Sequence, residues 1–306
     1  MKTGKFIAAL TVTALLTGLI GGSLSAAERR VEHVFIISFD QGGGEILRGQ
    51  PAPAFKKMFA EGAATWRAYT IVPSITLPSH TSMLTGVGIQ EHQVDWNDYQ
   101  PERGTVSVPT VFSLAKERGL TTAMFVGKEK FKHLVLPGSV DVFYVGDSAL
   151  EIARNFATRI TTMSKTEGPL EPHLCFIHFA EIDSTGHKFG IGSPEQNRAI
   201  ADCDAALTVI RDAVERAGLA ADSVFILTAD HGGHNETKDG KTRGTHGNSK
   251  HTDVDIPWVA WGKGARRGVT ISAPVLTYDT AATALWLLGV PVPESFWGKP
   301  VISAFE

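Results

Sequence analysis

The chain has 306 residues, ample for one large domain or two small ones. Its apolar content of 43% and charged content of 20% exclude a disordered or fibrous chain. With a formal net charge of -3 and no basic stripe, the sequence offers no nucleic-acid-binding surface.

The first residues are basic, at Lys2 and Lys5, and an apolar run from Phe6 to Leu24 leads into Ser25-Ala-Ala27. A charged start, a short apolar stretch and a small-residue exit predict a secretory signal peptide over 1–27. The bland alternative is a membrane anchor, against which Gly18, Gly21, Gly22 and the small-residue exit argue. Cleavage near Ala27 removes the two lysines, takes the formal charge from -3 to -5 and leaves no membrane span in the mature chain. The expected location is periplasmic or extracellular.

From Glu28 onward strand and helix patterns alternate. His33 to Phe39 predicts a buried strand, Ala54 to Gly62 a short helix, and Thr65 to Val72 an extended segment. Pro109 to Arg118 reads as a helix with proline in its first turn, and Thr121 to Val126 as the next strand. Asp147 to Met163 predicts a helix capped by Asp147 or Ser148. Leu174 to Phe179 is a strand, Pro194 to Ala217 a long helix, and Ser223 to Thr228 another strand. Ile256 to Trp261 predicts a strand whose Pro257 suggests a strand start or an edge. Thr280 to Leu288 closes the series as a helix. Cys175 and Cys203 fall in a predicted strand and helix and are expected to be buried free thiols, although an exported compartment permits a disulfide. Repeated strand-helix-strand units predict an α/β fold, a three-layer α/β/α sandwich around a largely parallel sheet, with 28–306 as a single catalytic domain.

Three of the apolar runs stop at metal-capable residues. The first ends at Asp40 before Gln41 and three glycines, the central one runs into Asp183 and His187, and the run from Phe225 ends at Asp230-His231 followed by two glycines. A parallel sheet brings such ends to one edge, where gathered carboxylates need a cation. His246, between Thr245 and Gly247, adds a third histidine. The oxygen and nitrogen set suits zinc, and two ions can share it, Asp183, His187 and His246 taking one and Asp40, Asp230 and His231 the other. Such a dinuclear site suits in-line displacement at phosphorus. Thr76 lies between two prolines, just ahead of a predicted helix start at Ser79, with Ser74, Ser79 and Thr81 as rival nucleophiles. Lys128, at the end of another strand, is a candidate for contacting a substrate phosphate.

These motifs, Asp40, Pro73-Ser-Ile-Thr-Leu-Pro-Ser-His80, Asp183-x-x-x-His187, Asp230-His231-Gly-Gly and Thr245-His246-Gly247, resemble the alkaline phosphatase superfamily. The likeness is greatest to its type I phosphodiesterase/nucleotide pyrophosphatase branch, and it runs from about Val34 to Val301. The resemblance implies a hydrolase of phosphoric esters with two divalent ions, zinc or else manganese, and Thr76 as nucleophile and metal ligand. It implies a small-molecule phosphate ester as substrate, with Ser79, Asn97 and Lys128 as substrate-binding residues, and says nothing of oligomeric state. Two departures stand out. The phosphodiesterase branch carries Asn where this chain has Ser79, which leaves a phosphomonoesterase as the alternative. His251-Thr-Asp-Val-Asp-Ile-Pro257 resembles the segment bearing the last metal histidine of true alkaline phosphatases, so His251 competes with His246. A sulfatase is disfavoured, because the segment lacks the Cys/Ser-x-Pro-x-Arg pattern. A catalytically idle metal-binding relative is the reading from outside enzymes.

Overall fold

The computed structural model describes Met1, residues 29–162 and residues 169–306. Apart from Met1, the expected signal peptide lies outside the described residues, as does the expected helix end at Met163. The strands are β1 (His33–Phe39), β2 (Ala63–Tyr69), β3 (Thr122–Val126), β4 (Val142–Val145), β5 (Leu174–Phe179), β6 (Ser223–Thr228), β7 (His234–Lys238), β8 (Lys241–Thr245), β9 (Asp255–Gly262) and β10 (Val269–Thr270). Eight of them form one sheet in the order β10-β2-β9-β6-β1-β5-β3-β4, and β7 and β8 form a separate hairpin. No helix among the described residues is long and apolar enough to cross a membrane.

The apolar run of β1 is buried throughout because both of its faces are covered. Val34 and Ile36 belong to one core cluster, while Phe35, Ile37 and Phe39 belong to the other, as the two-residue period of a strand requires. On the first face pack the helices Thr76–Thr85, Val111–Lys116 and Asp279–Leu287, and on the second Pro53–Glu61, Ala149–Thr161 and Pro194–Arg216. The result is the expected α/β/α layering. Phe35 is the hub of the second core, stacked on Phe225 at 5.1 Å between ring centroids and edge-on to Phe156 at 5.8 Å. Cys175 and Cys203 are both buried there as free thiols.

Strand direction positions the site. The pairs β6-β1, β1-β5, β5-β3, β3-β4 and β2-β10 are parallel, and β9 is antiparallel to both β6 and β2. β9 therefore begins at the edge where its neighbours end, and the segment before it, carrying His246, arrives at their carboxyl ends.

Several boundaries differ from expectation. Pro257 is the third residue of β9, an inner strand. Its missing N–H is tolerated because the register with β2 shifts between Thr65 and Ala68, a bulge opposite the proline. The helix expected to begin at Ser79 begins at Thr76, because Pro78 is acceptable in a first turn and the Ser79 N–H already donates to the Ile75 carbonyl at 3.1 Å. Asp183 and His187, expected on a turn, stand four apart on the helix Glu181–Phe189. The helix after β4 is Ala149–Thr161, capped by Ser148, whose Oγ accepts from the Glu151 N–H. The β7-β8 hairpin was not anticipated; its signal is Asp239-Gly240, both with positive φ (53° and 71°) as a two-residue hairpin turn requires.

The loops after β1 and β6 meet backbone to backbone. A Cβ on Gly43 would fall 2.4 Å from Gly232 Cα, and one on Gly232 would fall 2.0 Å from the Thr252 carbonyl oxygen. The Gly232 and Gly233 N–H groups donate to the Asp253 and Thr252 carbonyls at 2.9 and 2.7 Å, tying β6's exit to the approach of β9. Gly232→Ala is therefore expected to destabilise the fold by about 1–3 kcal/mol, the usual cost of overpacking. Gly49→Ala, where a Cβ meets nothing within 4 Å, should be neutral or mildly stabilising. Denaturant melts of the two variants decide this, and equal stability would refute the close approach.

Candidate active site

Four adjacent strands, β6, β1, β5 and β3, end at one place. They deliver Asp230 and His231, Asp40, Asp183 with His187 on the following helix, and Lys128. Asp40, Asp230 and His231 are fully buried and Asp183 nearly so. Thr76, in the first turn of its helix, faces the same cluster, its Oγ1 3.5 Å from His231 Nε2 and 3.5 Å from Lys128 Nζ.

Each carboxylate has one oxygen held and one left over. Asp40 Oδ2 accepts from Lys128 Nζ at 2.6 Å and from His178 Nε2 at 3.0 Å, while Oδ1 has no hydrogen bond. Asp183 Oδ2 accepts from Lys128 at 2.6 Å, and Oδ1 has none. Asp230 Oδ1 accepts from the Gln41 and His231 backbone N–H groups at 3.1 and 2.9 Å, and Oδ2 has none. Buried oxygens without donors are costly unless a cation completes them.

The histidines supply the complement. His187 Nδ1–H donates to the Gly244 carbonyl at 2.9 Å, His246 Nδ1–H to Ser74 at 2.8 Å, and His231 Nδ1–H to Gly232 at 2.8 Å. A carbonyl only accepts, so each Nδ1 carries the proton and each Nε2 presents a lone pair. His187 Nε2 and His246 Nε2 then face each other at 3.0 Å, with Asp183 Oδ1 at 3.2 and 3.5 Å from them. His231 Nε2 lies 3.2 Å from Asp230 Oδ2 and 3.4 Å from Asp40 Oδ1. Lone pairs so close repel unless they share an ion, and donors around tetrahedral zinc stand about 3.3 Å apart. The residues present therefore fit divalent metal. Asp183, His187 and His246 form one compact group within 4.8 Å; Asp40, Asp183 and His231 form another, so Asp183 stands between the two sets.

The titration shifts follow. Burial, with the charges of Asp40 and Asp183, pushes Asp230 well above the usual carboxylate range. Burial and Asp183 would raise Asp40 as well, but Lys128 and the His178 hydrogen bond hold it low. Burial would lower Lys128, yet its two carboxylates keep it above the ordinary lysine value. The carboxylates thus have a positive neighbour that the strand ends read singly do not reveal. It does not balance three of them.

Two histidines escaped the sequence reading. The Gly127 N–H donates to His178 Nδ1 at 3.2 Å, which places the proton on Nε2 and makes that nitrogen the donor to Asp40. His80 Nδ1–H donates to the Thr76 carbonyl at 2.8 Å, so its Nε2 accepts from Ser38 Oγ at 2.8 Å. Burial lowers both imidazoles and keeps them neutral. Their signal was a histidine inside the apolar run of β5 and another closing the hydroxyl-rich segment. His251 lies 89% exposed on its side chain, away from the cluster, whereas the His246 side chain is 6% exposed. Asn97 Oδ1 accepts from the Leu77 N–H at 2.9 Å, and Ser79 Oγ is buried without a hydrogen-bond partner.

Purified protein is expected to hold divalent metal by elemental analysis. Chelation should lower the melting temperature by on the order of 5 °C or more, reversibly with zinc or manganese. Asp183→Ala and Asp230→Ala should each lose metal, and full occupancy in either would refute the site. His178→Phe, which removes the donor to Asp40 together with the acceptor of the Gly127 N–H, should weaken metal affinity about 10–100-fold by titration.

The chain matches the family model of type I phosphodiesterase / nucleotide pyrophosphatase over residues 34–277. It is 24% identical over 234 residues to ectonucleotide pyrophosphatase/phosphodiesterase family member 7 of Mus musculus, covering 68% of this chain and 51% of that protein. It is 24% identical over 246 residues to bis(5'-adenosyl)-triphosphatase ENPP4 of Bos taurus, covering 74% and 52%. The chain thus spans about half the length of these curated relatives. Among solved structures, murine ectonucleotide pyrophosphatase / phosphodiesterase 5, an inactive threonine-to-alanine variant in complex with AMP, superposes with a TM-score of 0.73 at 16% identity over 90% of this chain and all of that one. That similarity carries the fold, and the family model, spanning most of the sequence in the order of the site motifs, carries the kinship: the chain belongs to the type I phosphodiesterase / nucleotide pyrophosphatase family of the alkaline phosphatase superfamily.

Proposed function

We propose that this chain is an exported, metal-dependent phosphoric ester hydrolase, a phosphodiesterase or nucleotide pyrophosphatase working through a phosphoryl-threonine intermediate on Thr76. The observation that carries it is the placement of the hydroxyls. Ser74 Oγ donates to the Asn248 carbonyl at 2.8 Å and Thr81 Oγ1 to Leu77 at 2.7 Å, so both are spent on backbone. Ser79 Oγ has no partner, and Thr76 Oγ1 alone touches the Asp-His-Lys cluster. The inactive murine neighbour, which has alanine for a threonine, supports a threonine nucleophile.

Asp183, His187 and His246 would hold one divalent ion and Asp40, Thr76, Asp230 and His231 the other, zinc or else manganese, supplying the Lewis acidity that lowers the threonine pKa and offsets charge on phosphorus. The chain does the rest. The Thr76 Oγ attacks phosphorus in line with the ester oxygen, the Oγ–P bond forms, and the P–O bond to the leaving group breaks. Water then cleaves the phosphoryl-threonine and returns the hydroxyl. Ser79 is placed to donate its free O–H to a phosphate oxygen, and the N-terminus of the Thr76–Thr85 helix favours the same negative charge. Lys128, 3.5 Å from Thr76 Oγ1, adds a fixed positive charge beside the attacking oxygen.

A panel of nitrophenyl phosphate mono- and diesters tests the reading. Diester turnover exceeding monoester turnover is expected, the reverse ratio identifies a phosphomonoesterase, and no turnover by metal-loaded protein identifies an idle relative. Thr76→Ala should abolish turnover with metals still bound, and Thr76→Ser should retain part of it. Ser79→Ala should cost roughly 10²–10³ in kcat, as the loss of one oxyanion donor does. Acid quench during turnover and peptide mass mapping should find phosphate on Thr76; phosphate on Ser74, Ser79 or Thr81 would overturn the assignment. For export, N-terminal sequencing from the native host should begin near Ala27 or Glu28, and intact Met1 in a membrane fraction would refute cleavage.

A further inference from the structure

Gln41 directly follows the ligand Asp40 and stands in the left-handed region at φ 62°, where a residue with a side chain is strained and glycine is not. It is also fully buried, and its Nε2 has no hydrogen-bond partner among the described residues. A buried amide nitrogen without a partner is a second unfavourable feature. Glycine would avoid both, and its N–H would still donate to Asp230 Oδ1 as that of Gln41 does at 3.1 Å. The reason for a glutamine therefore lies in its side chain.

That side chain reaches the elements that carry the other ligands. Gln41 Oε1 accepts from Gln196 Nε2 at 3.0 Å, and the same nitrogen donates to the Ile182 carbonyl at 3.1 Å. The Gly192 N–H donates to Gln196 Oε1 at 2.8 Å, which fixes the orientation of that amide and, through it, of Gln41. On the helix Glu181–Phe189, Asp183, Gly186 and His187 share one face, three and four residues apart. Gln41 packs on that face at Gly186, where a Cβ would collide with Gln41 Oε1. A Cβ on Gly244, in the strand leading to His246, would fall 2.6 Å from the Gly186 carbonyl oxygen, and one on Gly233, just after His231, would fall 3.1 Å from Gln41 Nε2. One amide thus sits where four ligand-bearing segments converge.

We propose that Gln41 is a positioning residue for the metal centre: its side-chain amide sets the spacing between the exit of β1 and the helix Glu181–Phe189, and so between Asp40 and the ligands Asp183 and His187. It touches no reacting atom. The inference rests on the two-ion hydrolase reading for what these ligands hold. It adds that the ion on Asp183, His187 and His246 depends on the Gln41 side chain, whereas the ion on Asp40, Thr76, Asp230 and His231 depends on the Gln41 backbone N–H.

Titration of the metal-free full chain with cobalt(II), followed by visible absorption, tests this without turnover. Gln41→Gly and Gln41→Ala both remove the amide, but only glycine also relieves the backbone. Both variants are expected to bind one ion, the one lost in His246→Ala, about 10–100-fold more weakly than the wild-type chain, with its absorption band changed in intensity as the ligand geometry changes. The other ion should keep close to its wild-type affinity. Melting of the metal-free chains should rank differently, with Gln41→Gly above Gln41→Ala. Affinity that follows the melting temperature, weakened in Gln41→Ala and at the wild-type value in Gln41→Gly, would leave Gln41 a residue of the fold alone and overturn the proposal. Equal weakening of both ions would overturn it too. Binding of a single ion by the wild-type chain would instead overturn the two-ion reading, and the ratio of wild-type to Gln41→Gly affinity for that ion would still decide the role of Gln41, a ratio near one refuting it.

Discussion

Three buried carboxylates held at the carboxyl ends of adjacent parallel strands are the constraint on which the rest of this structure depends. Strands about 4.8 Å apart cannot keep Asp230, Asp40 and Asp183 distant from one another, and burial removes the water that would screen them. One ammonium, Lys128, bridges two of the three and leaves the cluster net negative. A cluster of that sign repels a phosphate, whereas two divalent ions would reverse it. The fold thus builds a site whose charge matches its proposed substrate only when metal is present, which ties stability and chemistry to the same groups.

The glycines and the one reversed strand follow from the need to close ligands around that cluster. β6 must turn away at once after His231, and it does so through Gly232, which tolerates the Thr252 carbonyl where a side chain could not fit. The antiparallel β9 then brings its approach segment back across the same edge, so His246 reaches the cluster from a part of the chain that contributes no parallel strand. The β7-β8 hairpin spans the interval, and its Gly244 carbonyl orients His187.

Much of this is legible in the sequence because its signals are local. A buried strand ending in Asp or His is visible within ten residues, and so are the long helix after Ser193 and the alternation that gives the layered fold. What escapes is non-local. The association of Lys128 with Asp40 and Asp183 depends on the strand order β6-β1-β5-β3, which no local pattern encodes. Pro257 reads as an edge signal because the bulge that accommodates it belongs to β2, far away in sequence. The Thr76 helix starts three residues ahead of the expected Ser79 because hydroxyl-rich segments suit caps and first turns equally. The tasks of His80 and His178 are non-local in the same way, since they lie in hydrogen bonds to Thr76, Ser38 and Asp40 that only the packed structure makes.

The histidines show how a single side-chain type is given opposite tasks. Where Nδ1 meets a backbone carbonyl and Nε2 points into the cluster, as in His187, His231 and His246, the ring becomes a lone-pair donor suited to a metal. Where Nδ1 meets a backbone N–H, as in His178, the tautomer inverts and the same Nε2 becomes a hydrogen-bond donor that steadies a carboxylate. His80 has its Nδ1 on a carbonyl but its Nε2 on Ser38, so its lone pair is satisfied inside the core and it braces the helix that carries Thr76. Burial holds His80, His178 and His231 below the ordinary imidazole value and so neutral, whereas the adjacent Asp183 pulls His187 upward. The distinction between ligand and support therefore resides in what the two nitrogens of each ring meet, the backbone group at Nδ1 and the cluster or a core hydroxyl at Nε2. Exchanging the carbonyl opposite Nδ1 for an N–H would convert a ligand into a support without changing a single histidine.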